Sequence, residues 1–273
     1  MSENIFKPSI FNPLAEYFEE IAENENTNFK VFTDAKYDID EMFQKDEVNN
    51  LYLEFGNDLL NKDLEGLVSI KQAILMGMIM SLNPPWLRLL KKGRSDFFAE
   101  IKEYEHGTQI MQIFNESKLI NNDLNAMYWW AYVESYFKND NWSKRKIGID
   151  GEYMSYNFEI NKLNTLKINK KPELTSVDNT SAGYDLISYR KDSSGNIFKI
   201  FIESKFNSQN QEAFYISRNE ANKAMELKDN YYIYLWTHID QNEPLVINTS
   251  YLEKNLPIDQ GASTWKEAFV IFK

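Results

Sequence analysis

"AGYDLISYRKDSSGNIFKIFIESKF", residues 182–206, decides the fold. Two apolar runs, 184–190 and 197–205, flank the turn "KDSSGN", the signature of a β-hairpin. The runs also carry charges where a core strand should be plain. Asp185 opens the first; Glu203 and Lys205 close the second. Side chains alternate along a strand, so Phe201, Glu203 and Lys205 share a face. In a hairpin the start of one strand lies beside the end of the next, which brings Asp185 close to Glu203. Two such carboxylates repel unless a cation lies between them. Mg2+ (or Mn2+) suits the pair: it takes oxygen ligands and is usually held by one or two carboxylates plus water and phosphate. A lysine on the same face can orient or deprotonate an attacking water and hold a phosphate. The end of a strand is where a rigid sheet meets solvent, so a metal and a phosphodiester can be held there.

An acid-x-Lys triplet alone says little. The chain has five: Asp34-Ala35-Lys36, Glu100-Ile101-Lys102, Glu116-Ser117-Lys118, Glu203-Ser204-Lys205 and Glu226-Leu227-Lys228. Four read as solvated helix charges. Only Glu203-Ser204-Lys205 ends an apolar strand whose neighbour starts with an acid.

Outward from the hairpin, the second half reads as a mixed sheet with helices against it. A helix is expected over about 143–163, then strands at 173–177, 184–190 and 197–205. The polar loop "FNSQNQE" leads to a short strand "AFYIS", a helix over about 218–228 and a strand "YYIYLWTHI" at 231–239. The first half reads as helices: 12–23, 65–82 stopped by Asn83-Pro84-Pro85, a short turn at 86–92 ended by Gly93, a helix capped by Ser95, and 123–138. On the last, Met127, Trp130, Tyr132, Val133 and Phe137 fall broadly on one side. "KNDNWS", 138–143, marks a boundary, giving a helical domain over 1–140 and a second domain over 141–273.

Charge divides at the same place. Of the net −11, residues 1–140 carry all and residues 141–273 carry zero. A nucleic-acid surface therefore belongs to the second half, which opens with Lys144, Arg145, Lys146, Lys162, Lys167, Lys170 and Lys171 against Asp150, Glu152 and Glu159. The chain contains no cysteine, which excludes disulfides and thiolate zinc sites and points to the cytoplasm. No signal peptide is read at the start, and the most apolar stretch, 73–82, is too short to span a membrane. His106 and His238 lie in separate halves without ligand spacing, against a histidine metal site or a Ser-His-Asp triad. No GxxxxGK loop is present.

Asp185 followed by Glu203-x-Lys205, in this order of helices and strands, resembles the PD-(D/E)xK nuclease superfamily and its restriction-endonuclease-like fold. More narrowly, residues 147–272 resemble the bacterial domain of unknown function called protein NO VEIN, C-terminal. The resemblance rests on Gly151-Glu152, Gly183-Tyr184-Asp185, Glu203-Ser204-Lys205, Asn219-Glu220, Leu235-Trp236 and the segment "LPIDQGASTW". Ala221 stands where a tryptophan is expected, and Ser204 where valine is usual.

The resemblance implies an α+β chain: a helical domain followed by a restriction-endonuclease-like core. Asp185 and Glu203 become metal ligands, Lys205 the catalytic lysine, and Glu152 a first-helix acid that helps bind the metal or its waters. A carboxylate at a helix start is also favourable for dipole reasons alone. Gln211 and Asn219-Glu220 either line the site or cap the following helix. The implied activity is magnesium-dependent hydrolysis of DNA, an endonuclease in a bacterial restriction or antiviral defence setting. The rival is a silent nuclease-fold module that binds nucleic acid or scaffolds a complex. The acidic half is the expected docking surface for a protein partner, and homo-oligomerisation stays open.

Overall fold

The computed structural model describes residues 5–25, 62–64, 66–139, 141–179, 181–207, 209, 211–259 and 264–272. The chain divides into two compact units, Met1–Asp140 and Asn141–Lys273.

The first unit is helical among its described residues. α1 (Pro8–Glu25) is followed by a 3-10 turn (Lys62–Leu64), α2 (Ile70–Leu82), α3 (Leu87–Leu90), α4 (Arg94–Ile101), α5 (Gly107–Glu116) and α6 (Leu124–Lys138). α2 starts at a capping box. The Ser69 hydroxyl accepts from the Gln72 amide, and the Gln72 side chain accepts from the Ser69 amide. It ends at Asn83, which takes the left-handed conformation (φ 45°) ahead of Pro84-Pro85. Two expectations need correction. Ser95 is not a cap: α4 starts one residue earlier, and Gly93 (φ 95°) is its N-cap residue. The apolar side of α6 is wider than Met127, Trp130 and Val133, because Tyr128, Trp129 and Ala131 are buried too. The Trp129 indole donates to the Gln72 carbonyl, and the Trp130 indole to that of Leu119. Phe97, Phe114, Trp86 and both of those indoles form one aromatic core.

The second unit opens with the long helix α7 (Trp142–Thr165), capped by the Asn141 side chain. Then come β1 (Glu173–Leu174), a turn of helix α8 (Thr175–Asp178), β2 (Leu186–Lys191), β3 (Ile197–Phe206), β4 (Ala213–Ser217), α9 (Arg218–Leu227), β5 (Tyr231–Trp236), β6 (Leu245–Asn248), α10 (Thr249–Asn255) and β7 (Glu267–Ile271). The main sheet runs β1-β2-β3-β5-β6. β2 and β3 form the antiparallel hairpin, with Leu186 opposite Ile202. β5 pairs parallel to β3, Phe201 opposite Tyr231, after a crossover through β4 and α9. Mixed α/β architecture is therefore established.

Three readings change. The strand expected at 173–177 stops after two residues, because the Thr175 and Ser176 amides turn in to the Asp185 carbonyl (2.7 and 3.1 Å). β4 leaves the main sheet and pairs antiparallel with β7, a strand the sequence reading missed along with β6 and α10. β5 ends at Trp236, short of the expected 239. The core of this unit includes Ile216, Ala224, Tyr231, Ile233, Leu235 and Leu252.

Candidate functional site

β3 sets its even and odd residues to different tasks. On one face, Ser204 and Phe206 meet α7. A Cβ on Gly151 would lie 2.9 Å from the Phe206 Cβ and 3.4 Å from the Ser204 Oγ, so only glycine lets the helix come this close. One turn on, Ser155 Oγ lies 2.8 Å from Ser204 Oγ and accepts a hydrogen bond from the Trp236 indole. Ser204 is thus matched by a buried hydroxyl on the helix.

On the other face lie Glu203 and Lys205. The Lys205 ammonium is 2.8 Å from Glu203 Oε1 and 2.9 Å from Glu220 Oε2. Glu203 is buried, and burial together with the charge of Glu220 pushes its carboxyl up to about 8 against the opposing pull of Lys205. Burial by itself would lower Lys205, but Glu203, Glu220 and Asp185 hold its proton on. Glu220 moves the other way. Its burial is outweighed by the Lys205 charge and by hydrogen bonds from Lys205 and the Ser217 amide.

Asp185 lies one residue ahead of β2. Its amide donates to the Ile202 carbonyl (2.9 Å), and its Oδ2 accepts from the Ser204 amide at 2.8 Å. Burial and then the charges of Glu203 and Glu152 raise its carboxyl well above the usual range. The approach to this residue is fixed by Gly183 (φ 79°). A side chain there would press on Lys223 and Asn219, and its carbonyl accepts from the Tyr231 hydroxyl.

Asp185, Glu203 and Lys205 therefore come together as expected. Among the described residues no group of three or more His, Asp or Glu side chains is placed to hold an ion, and Glu152 lies near enough for its charge to raise Asp185. The two Glu152 oxygens accept from Arg145 Nη1 (2.8 Å) and Ser176 Oγ (2.6 Å). Arg145 and Glu152 stand seven residues apart on α7, beyond the three- and four-residue spacings that mark helical ion pairs in a sequence. Asn219 holds the loop ahead of Asp185 through the Ser181 carbonyl, while Gln211 is exposed ahead of β4. Glu220 both caps α9 and reaches Lys205. Ala221 is buried beside an open cleft of about 330 Å³ that Met225, Leu256 and Trp265 also line.

A second polar cluster lies between α7 and the sheet. Glu159, fully buried, takes a two-pronged ion pair from Arg190 and hydrogen bonds from Ser188 and Tyr234. Burial would raise its carboxyl, but the hydrogen bonds and charge of Arg190, with Ser188 and Tyr234 assisting, hold it low.

Residues 151–248 match the family model described as protein NO VEIN, C-terminal. The NO VEIN match starts at Gly151, the glycine that lets α7 meet β3. It ends at Asn248, the last residue of β6, so it takes in Asp185, Glu203, Lys205 and Glu220. No curated protein and no solved structure gave a match. Among the described residues no helix is long and apolar enough to cross a membrane.

Proposed function

We propose that the second unit is a PD-(D/E)xK-type nuclease that hydrolyses DNA phosphodiester bonds with Mg2+ or Mn2+, in bacterial restriction or antiviral defence. The observation that carries this reading is the pair of neighbouring acids, Asp185 and Glu203, with Asp185 raised partly by the charge of Glu203, beside a lysine on the same strand. Acids that disfavour each other's ionisation fit a divalent cation, which relieves both. With two carboxylates and no larger cluster among the described residues, the remaining ligands would be water and phosphate, the usual arrangement for Mg2+. The strand order, with a helix-linked parallel strand after the hairpin, also supports the superfamily.

Asp185 and Glu203 would hold the cation, which supplies an activated water and charge stabilisation when bound. Ser204 keeps the Asp185 carboxylate in place through its amide. Lys205, whose proton is held on by three acids, suits the stabilisation of charge on a scissile phosphate better than the removal of a proton from water. Glu152, tied to Arg145 and Ser176, fastens α7 and α8 behind Asp185. The acidic first unit is the docking surface we propose for a protein partner.

The silent-module reading is favoured by one observation: Lys205 is bracketed by two carboxylates that already satisfy its charge. One experiment separates the two. Purified protein is assayed on plasmid and single-stranded DNA with Mg2+ or Mn2+, beside Asp185→Asn and Lys205→Ala. Cleavage lost in both variants supports the nuclease. Binding without cleavage, unchanged in both variants, leaves the silent module.

A further inference from the structure

Glu220 is bound twice through one oxygen. Its Oε2 accepts from the Ser217 amide at 3.0 Å and from Lys205 at 2.9 Å. The first bond belongs to the capping box of α9, whose other half is the Ser217 hydroxyl accepting from the Glu220 amide at 3.3 Å. The box fixes the carboxylate at the start of a helix, and the helix presents it to the end of β3. Lys205 is thus bracketed by a strand acid, Glu203, and a helix acid, Glu220.

These two acids are not equivalent. A cation held by Asp185 and Glu203 would draw on the Glu203 oxygens, the same group that now pairs with Lys205. Without a second partner, the lysine would compete with the cation for Glu203. We infer that Glu220 is the positioning residue for Lys205: it holds the ammonium at the strand end so that Glu203 is released to a divalent cation. The inference rests on the metal-dependent reading above, but half of its test does not.

Glu220→Gln removes the charge and keeps the cap, since Gln72 completes the same kind of box with Ser69 in this chain. Ser217→Ala is the structural control: it breaks the box but keeps the amide and the Glu220–Lys205 contact. Two quantities are read for each variant: Mn2+ affinity by calorimetry, and Lys205 labelling by an amine reagent, followed by mass spectrometry without metal. Glu220→Gln is expected to label faster at Lys205 and to bind Mn2+ about tenfold more weakly, the scale seen when outer partners of metal ligands are removed. Ser217→Ala should do neither. Unchanged labelling in Glu220→Gln, or equal changes in both variants, overturns the assignment. If labelling rises in Glu220→Gln alone but the parent protein binds no Mn2+, Lys205 positioning stands and the metal reading fails instead.

Discussion

Asp185 and Ser204 are joined by a 2.8 Å hydrogen bond from the Ser204 amide to Asp185 Oδ2, across the two strands of the hairpin. The bond costs the sheet nothing, because Asp185 sits ahead of the ladder that starts at Leu186 opposite Ile202. Asparagine keeps an acceptor at this position and cannot ionise. Asp185→Asn should therefore fold with equal or higher thermal stability, since a buried carboxylate repelled by Glu203 and Glu152 is removed. It should also lose Mn2+ binding in calorimetry. Binding equal to that of the parent would remove Asp185 from the ligand set.

Glu203 gives a pH signature. Its carboxyl is raised from the ordinary 4.5 to about 8 in the folded state. A raised carboxyl contributes stability that is full below the unfolded value and is lost as pH rises through the folded one. Metal-free protein should lose stability relative to Glu203→Gln as pH increases from about 4.5 to about 8. The glutamine variant cannot ionise there, so the gap between the two melting temperatures should widen with pH. Saturating Mn2+ should narrow it again by favouring the ionised form. Parallel melting curves across this range would show that Glu203 is not strained.

Glu159 should behave in the opposite way. Its carboxyl is held low by Arg190, with Ser188 and Tyr234 assisting, against its burial. Its contribution is present above the unfolded value near 4.5 and is lost as pH falls through the folded one. Glu159→Gln should cost about 3 kcal/mol at neutral pH, because it leaves the Arg190 charge inside the protein without its counter-ion. Urea unfolding checks this, and a cost below about 1 kcal/mol, the scale of an exposed pair, would contradict it.

Gly151 tests how closely α7 must approach the strand that carries the site. Gly151→Ala puts a methyl 2.9 Å from the Phe206 Cβ, a group with no rotamer by which to move away. Helix propensity alone favours alanine by about 1 kcal/mol. A net loss of about 1–3 kcal/mol from overpacking is expected instead. A gain in melting temperature would mean that α7 shifts freely and that the glycine is not required for packing.

The hairpin was legible because its signals are local: period-two apolar runs, a polar turn, and acids at topologically adjacent ends. α2 was legible only at its end, from the Pro84-Pro85 stop; its helical pattern reads from 65, whereas the Ser69–Gln72 capping box sets its start at Ile70. β7 was missed for the opposite reason. Its partner, β4, lies some fifty residues earlier, and Phe269 and Ile271 are half exposed, so no local period marks it. At 173–177 the stretch "ELTSV" reads as a strand, yet the Thr175 and Ser176 amides are taken by the Asp185 carbonyl, a tertiary contact that overrides propensity. At the site, sequence supplied Asp185, Glu203 and Lys205. It could not decide between cap and site for Glu220, because the fold makes it both. The Asp34-Ala35-Lys36 triplet lies outside the described residues.

The repeated tripeptide Glu-Ser-Lys gives the sharpest control on the functional reading. Glu116-Ser117-Lys118 and Glu203-Ser204-Lys205 are chemically identical, so only their surroundings can separate them. The first closes α5. Glu116 Oε1 accepts from Gln112 one turn back at 2.7 Å, and Lys118 is exposed at a left-handed φ of 58° that ends the helix. The second closes β3, with Glu203 buried and Lys205 between two acids. Removing the charge of Glu116 or the side chain of Lys118 should change stability by roughly 0–1 kcal/mol and leave any cleavage untouched. Glu203→Gln and Lys205→Ala should each abolish cleavage, because a metal ligand or a phosphate-facing cation stabilises the transition state by several kcal/mol. Lys205→Ala should also destabilise the fold, since it leaves the Glu220 carboxylate half-buried without its ammonium partner. Lys205→Met, which keeps much of the apolar stem, separates that lost counter-ion from lost packing. All five variants are measured for melting temperature and then for plasmid cleavage with Mg2+. Equal sensitivity at 116/118 and 203/205, or an active protein indifferent to both pairs, would rule out the nuclease site at the end of β3.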